Sequence, residues 1–93
     1  STATATGNSF SLRAYPNPVK GELNLSISNS ASQKMEIVVI NTLGQESSFF
    51  NNKIEKGETL MKFDTETIST GVYYLRITVG EGKPEYLRFV KAR

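Results

Sequence analysis

Apolar and polar residues alternate in short runs along most of this chain, as expected of strands that bury one face. In the clearest run, Leu23, Leu25 and Ile27 share one side, and polar residues stand between them. The pattern predicts seven strands, at residues 11–15, 21–28, 34–41, 46–53, 59–64, 72–79 and 86–91. No window sustains an apolar stripe of helical period, so no helix is predicted.

Turn-forming residues separate the predicted strands at positions 29–33, 42–44, 55–57 and 80–84. Short strands with turn signals at intervals of roughly 8–12 residues are typical of antiparallel sandwiches. The sequence therefore predicts an all-β fold, an immunoglobulin-like antiparallel β-sandwich of about seven strands.

Two strands have patterns that predict their place in the sandwich. The strand at 34–41 is apolar on both faces, with Ile37 on one side and Val38 on the other, so we expect it to be central. In the strand at 72–79, Tyr73, Leu75 and Ile77 share the face predicted to contribute to the core.

A proline-rich corner precedes the strand at 21–28. Pro16 and Pro18 each fix φ, lack an N–H group and push the preceding residue away from helical conformation. Gly21 follows three residues later and gives the turn the freedom to adopt a positive φ. The segment is therefore predicted to be a rigid, non-helical corner.

Composition indicates one small globular domain, since 38% of the 93 residues are apolar and 22% are charged. Residues 1–9 are small and polar and predict a flexible linker, which leaves 10–93 as the domain. No secretory signal is visible at the start, so we interpret the chain as part of a longer protein. A net charge of +2 is too small to suggest a nucleic-acid partner, and no apolar run approaches the ~20 residues of a transmembrane helix.

Cysteine and histidine are both absent. Their absence excludes disulfides and thiolate nucleophiles, together with the commonest general base and metal ligand. Asp64 and Glu66 alternate so as to share a strand face, but the threonines around them fit a turn equally well. We therefore predict no enzymatic activity, no catalytic residue, no metal site and no cofactor.

Most of the aromatic side chains are predicted to pack in the core rather than to form a ligand-stacking platform. Because neighbouring strand residues face opposite ways, one of Phe49 and Phe50 is expected to be an exposed contact. The chain end alternates bulky and basic residues. It fits a final strand with Arg88, Lys91 and Arg93 in solvent, or an edge strand with free backbone groups for a partner strand.

Four segments in order resemble the C-terminal sorting domains of the type IX (Por) secretion system. They are Tyr15-Pro16-Asn17-Pro18-x-x-Gly21-x-Leu23-x-Leu25, Ile40-Asn41-Thr42-Leu43-Gly44-Gln45-Glu46, Ile68-Ser69-Thr70-Gly71-Val72-Tyr73-Tyr74-Leu75-Arg76-Ile77, and the ending from Leu87 to Arg93. Ser69 and Gln45 stand where the family often has proline and arginine, and the ending carries arginines where a lysine pair is frequent.

The resemblance implies a secretion signal without catalysis of its own. The family's domains direct a larger upstream passenger through the periplasm and across the outer membrane to the cell surface or the medium. The implied partners are an outer-membrane translocon and a sortase-like peptidase, which removes the domain and leaves the passenger released or anchored. Cleavage is then expected in or before residues 1–9.

The resemblance also assigns residues to roles. The sorting motif would comprise Pro16, Asn17, Pro18, Gly21, Leu23, Gly44, Gly71, Tyr73 and Leu75. The machinery would recognise Leu87, Arg88, Phe89, Val90, Lys91 and Arg93. On this hypothesis, deletion of residues 90–93 abolishes export and leaves the passenger folded.

Two alternatives stay open at this level. One is a non-catalytic binding or spacer module of a cell-surface protein, which exposed aromatics and glycan binding would favour. The other is a sorting domain that also forms a weak homodimer through its edge strand.

Overall fold

The computed structural model describes residues Ser1–Arg93 and consists of two four-stranded antiparallel sheets. Its strands are Ala3–Thr6 (β1), Phe10–Tyr15 (β2), Glu22–Asn29 (β3), Gln33–Asn41 (β4), Glu46–Ile54 (β5), Gly57–Asp64 (β6), Gly71–Val79 (β7) and Glu85–Lys91 (β8). One short 3-10 turn spans Thr65–Thr67. The predicted antiparallel sandwich is confirmed, with eight strands. No helix has the length and apolar character needed to span a membrane.

The strand order is β1-β2-β3-β6 in one sheet and β5-β4-β7-β8 in the other. All neighbouring strands are antiparallel. The predicted central strand, now β4, lies between β5 and β7, and its Val38 is buried together with Ile37. The last strand, β8, lies at the edge of its sheet.

The core lies between the sheets, because the alternating apolar side chains of both sheets point inward. Leu23, Leu25 and Ile27 of β3 are fully buried, as the pattern predicted. From the opposite sheet, Leu75 and Ile77 are fully buried as well. The two-residue period of the sequence therefore positions the core correctly in both layers.

The N-terminal segment differs from the prediction for residues 1–9. Ala3–Thr6 forms an edge strand against β2, and its Ala5 is buried. Alanine and threonine give almost no hydrophobic signal, and this strand forms because β2 offers a free edge. The role of residues 1–9 as a linker to an upstream passenger stays a prediction.

A β-bulge explains a second difference. The register of β4 against β5 shifts between Ile37 and Val38, which pair with Phe50 and Ser48, so Phe49 is an extra residue. Phe49 and Phe50 are both half-buried and pack against the core. The expectation that one of them is exposed is wrong, because a bulge interrupts the strict alternation of faces.

Candidate recognition site at one end of the sandwich

The strand directions bring four distant segments to the same end of the sandwich. β2, β4, β6 and β8 finish there, and β3, β5 and β7 begin there. Residues 16–21, 42–45 and 65–70, together with 90–93, therefore lie at this end, which we call the motif end. All four segments that resemble sorting motifs contribute to it.

The proline corner supplies hydrogen-bonding partners to the open edge of β8. Val19 forms a parallel bridge with Lys91: the Val19 amide donates to the Val90 carbonyl at 2.8 Å, and the Ala92 amide donates to the Val19 carbonyl at 2.7 Å. The Asn17 side chain accepts from the Val90 amide at 3.0 Å and donates to the Arg88 carbonyl at 3.4 Å. The corner thus acts as a short extra strand beside the last strand.

Lys91 occupies a buried polar site between the sheets. Its residue exposure is 8%, and its Nζ donates to the Thr65 carbonyl at 2.8 Å, to the Thr65 hydroxyl at 3.1 Å and to the Lys20 carbonyl at 3.1 Å. The Gly21 carbonyl accepts from both the backbone amide and the hydroxyl of Thr65. The expectation that Lys91 is solvated is wrong, because Leu87, Phe89 and Lys91 share the inward face of β8.

Four aromatic rings cross the motif end from one sheet to the other. Phe49 of β5 meets Phe63 of β6 edge-on, with ring centroids 5.1 Å apart. Phe63 meets Phe89 of β8 at 6.3 Å, and Phe89 stacks on Tyr73 of β7 at 5.5 Å. These contacts support the prediction of packing rather than ligand stacking for these four rings, since each ring contacts another.

The β4–β5 hairpin projects an apolar side chain from the motif end. The Asn41 side-chain oxygen accepts from the amides of Leu43 and Gln45, both at 2.9 Å, and Gly44 closes the turn with φ 82°. This is an Asx-stabilised turn that requires glycine at its last position. Leu43 at its tip is 82% exposed, more than any other large apolar residue of the chain.

The β6–β7 connection borders a cleft. The Asp64 carboxylate accepts from the Glu66 amide at 2.9 Å, and the Tyr73 hydroxyl donates to the Ser69 carbonyl at 2.6 Å. A cleft of about 480 Å³ opens beside Phe49, Phe63 and Tyr73. Neutral polar groups dominate its rim, and no charged side chain lines it.

One ion pair connects the strands on the outer face of the second sheet. Arg76 of β7 donates two hydrogen bonds of 3.1 Å to the Glu46 carboxylate at the start of β5. The hydrogen bonds to Glu46 raise the pKa of Arg76 above its ordinary value. The guanidinium therefore stays charged at every pH at which the domain would be studied.

The predicted site residues divide into exposed and buried groups. Those exposed to solvent are Pro16, Pro18, Gly44, Arg88 and Arg93. Those half-buried are Asn17, Gly21, Gly71, Tyr73 and Val90. Those buried are Leu23, Leu75, Leu87, Phe89 and Lys91. A folded domain therefore offers only part of this set to a partner.

Gly21 and Gly71 show how glycine contributes to this end. The turn does not use the freedom that Gly21 offers, because the glycines with positive φ are Gly44, Gly57, Gly71 and Gly80. Gly21 is held instead through its carbonyl oxygen, which accepts hydrogen bonds from the amide and the hydroxyl of Thr65. Gly71 takes φ 155° where β7 begins opposite Lys91.

Sequence reasoning missed three residues of the motif end. Val19 and Thr65 are fully buried and connect the corner to β8 and to the β6–β7 connection. Leu43 is the exposed tip of the hairpin. Only Val19 had a usable signal, because it is the one aliphatic residue within the polar corner.

The comparison with known families agrees with the four motifs. The family model described as the secretion system C-terminal sorting domain matches residues 13–90. No solved structure matches the chain. The matched range includes the corner, the hairpin, the β6–β7 connection and nearly all of β8. The chain belongs to the C-terminal sorting domains of the type IX secretion system, and it is a signal for secretion to the cell surface or the extracellular space.

Proposed function

We propose that the motif end is the surface through which the outer-membrane translocon recognises this domain. The domain would thereby carry an upstream passenger from the periplasm across the outer membrane. The observation that supports this role is the convergence of all four motif segments at one end, although they are dispersed over the whole chain. Core packing alone does not require this arrangement, because it would allow family motifs anywhere along the strands.

Exposure decides which residues would make direct contact. We assign contact to the exposed Arg88 and Arg93, to the prolines of the corner and to Leu43 at the hairpin tip. Leu87, Phe89 and Lys91 are buried and would act by maintaining the shape of this end. Leu43 is the most exposed of the large apolar side chains, and we assign it as the apolar contact of this surface.

Removal by a sortase-like peptidase would occur close to β1. The backbone of β1 is paired with β2 from Ala3 to Thr6, so a protease cleft would reach it only after this four-residue strand detaches. We therefore expect cleavage before Ala3 or in the loop at residues 7–9. The passenger would then be released or anchored at the surface.

A homodimer through β8 has less support than recognition by the translocon. Asn17 and Val19 already bond to the outer edge of β8 from Arg88 to Ala92. A partner strand would have to displace the corner along this part of the edge.

The test is a fluorescent protein with a signal peptide and this chain at its C-terminus, expressed in a bacterium that has a type IX system. We expect surface or extracellular fluorescence in the intact strain and retention in a strain without the translocon. Deletion of residues 90–93 should retain the reporter inside the cell with its fluorescence intact. Normal export of that deletion would contradict the assignment of the terminal segment.

A binding module is the second candidate function, and the uncharged cleft beside Phe49, Phe63 and Tyr73 is the observation that favours it. A cleft with apolar walls and neutral hydrogen-bonding groups suits a neutral glycan better than an ionic ligand. Calorimetric titration with neutral oligosaccharides tests this candidate. A retained reporter in the export assay together with measurable glycan binding would favour it over the sorting surface.

A further inference from the structure

Lys91 is the one charged side chain among the buried residues of this domain. A buried ammonium is costly unless hydrogen bonds replace its hydration shell. Here three donor hydrogens have three acceptors within 3.1 Å, two on Thr65 and one on Lys20, and no carboxylate forms an ion pair with Lys91. The surroundings of Nζ therefore match an ammonium in both number and position.

The acceptors of Lys91 belong to two different connections of the motif end. Lys20 lies in the proline corner, and Thr65 begins the connection from β6 to β7. Thr65 in turn donates to the Gly21 carbonyl, so a continuous chain of hydrogen bonds runs from Lys91 through Thr65 into the corner. Such chains strengthen each member and favour one arrangement.

We infer that Lys91 is a positioning residue of the sorting signal. It locks the terminal strand, the corner and the β6–β7 connection together, so that the exposed residues of the motif end keep one arrangement. The inference rests on the proposed recognition surface and deepens it. The terminal segment then acts partly through the shape that it imposes, and not only through contacts of its own.

Direct recognition of Lys91 would require a different geometry. With 8% of the residue exposed and every donor hydrogen matched by an acceptor, a partner would have to extract the side chain from between the sheets. Arg88 and Arg93 offer exposed cations on the same segment without this cost. The two mechanisms therefore predict different behaviour for Lys91 and for its exposed neighbours.

The test substitutes Lys91→Met, whose unbranched side chain is one atom shorter and leaves three oxygens without their donor. Amide hydrogen exchange is measured at Val19 and Ala92, whose N–H groups join the corner to β8. We expect exchange there to become roughly tenfold faster or more. The Gly80 amide at the opposite end donates to the Lys34 carbonyl and serves as the reference. Its exchange should become faster only as far as the loss of global stability requires. Export of the fluorescent fusion should fall in parallel.

Two matched variants separate positioning from other effects. Arg88→Gln removes an exposed charge from the same strand and should leave exchange at Val19 and Ala92 unchanged. Ile54→Ala lowers stability from the far end of β5, and export of Ile54→Ala and of Lys91→Met is compared at growth temperatures at which the two domains are folded to the same fraction. If Lys91→Met does not fold, Thr65→Val takes its place. Thr65→Val keeps Lys91 but removes the hydroxyl that links it to the Gly21 carbonyl, and it should also speed exchange at Val19 and Ala92, by a smaller factor.

Each outcome decides the inference. Faster local exchange together with export below that of the stability-matched Ile54→Ala variant supports positioning. Export equal to that of Ile54→Ala shows a merely structural residue, and lost export with unchanged local exchange shows direct recognition; either result overturns the inference. Retention of the unsubstituted fusion would instead refute the proposed function, while the exchange data would still decide whether Lys91 locks the three segments.

Discussion

The Asn17 side chain accepts a hydrogen bond from the Val90 amide at 3.0 Å, although 73 positions separate the two residues. The same side chain donates to the Arg88 carbonyl, so one amide group serves both an N–H and a C=O of the β8 edge. Asn17 thus takes the place of a neighbouring strand. This contact joins the first and the last family motif directly.

We expect Asn17→Ala to destabilise the domain by about 1–2 kcal/mol, because the partly buried Val90 amide loses its acceptor and the exposed Arg88 carbonyl loses a donor. Urea denaturation followed by circular dichroism measures the change. Asn8→Ala is the matched control, since Asn8 is exposed at the opposite end and its side chain makes no hydrogen bond within the chain. Equal stability of the two variants would show that the Asn17 side chain does not stabilise the edge of β8.

The glycines at positions 44 and 21 should respond differently to alanine. A Cβ at either position meets no atom within 4 Å, but only Gly44 has a positive φ, of 82°. Gly44→Ala should therefore cost roughly 1–2 kcal/mol, whereas Gly21→Ala should be close to neutral. Thermal unfolding of both variants distinguishes backbone strain from crowding. A similar loss at both positions would contradict this explanation.

Phe89→Ala should be among the most destabilising single substitutions. The ring is fully buried and contacts both Phe63 and Tyr73, so its removal leaves a cavity between the sheets. The expected cost is about 3–5 kcal/mol, which is a large share of the stability of a small domain. Tyr86→Ala, in the same strand but 55% exposed, should change stability by less than about 0.5 kcal/mol. Chemical denaturation measures both.

Leu43→Ser tests recognition without disturbing the fold. Leu43 is 82% exposed, so its loss should change stability by less than about 0.5 kcal/mol. We expect export of the fluorescent fusion to decrease, because the exposed tip of the motif end would lose its apolar anchor. Leu60→Ser, at a residue of β6 that is 57% exposed, is the control and should leave export unchanged. Unimpaired export of Leu43→Ser would remove the hairpin tip from the proposed surface.

Strand positions could be predicted because the apolar residues that build them recur at every second position. The alternation of β3 and the two-sided apolar pattern of β4 each led to the correct place in the sandwich. Prediction failed where tertiary contacts decide the structure. β1 depends on the free edge of β2, and the bulge at Phe49 depends on the register between β4 and β5.

The candidate site was less accessible to sequence reasoning than the fold. Its motifs could be found one by one, but their convergence requires the strand directions. The burial of Lys91 could have been inferred, since it lies on the same strand face as Leu87 and Phe89. Its charge favoured solvent exposure instead. The oxygens that bind its ammonium could not be identified from sequence, because they lie 26 and 71 positions away along the chain.

The Ser1 carbonyl accepts from the Asn17 amide at 2.9 Å, which places the first residue of the chain beside the proline corner. Any polypeptide joined to Ser1 would therefore leave the domain at the end proposed for translocon contact. The domain measures 37 × 24 × 18 Å, and an extended tether of about ten residues spans roughly 35 Å. A bulky passenger on a shorter tether would stand in the approach path of the translocon, so spacer length should limit how fast cargo is captured.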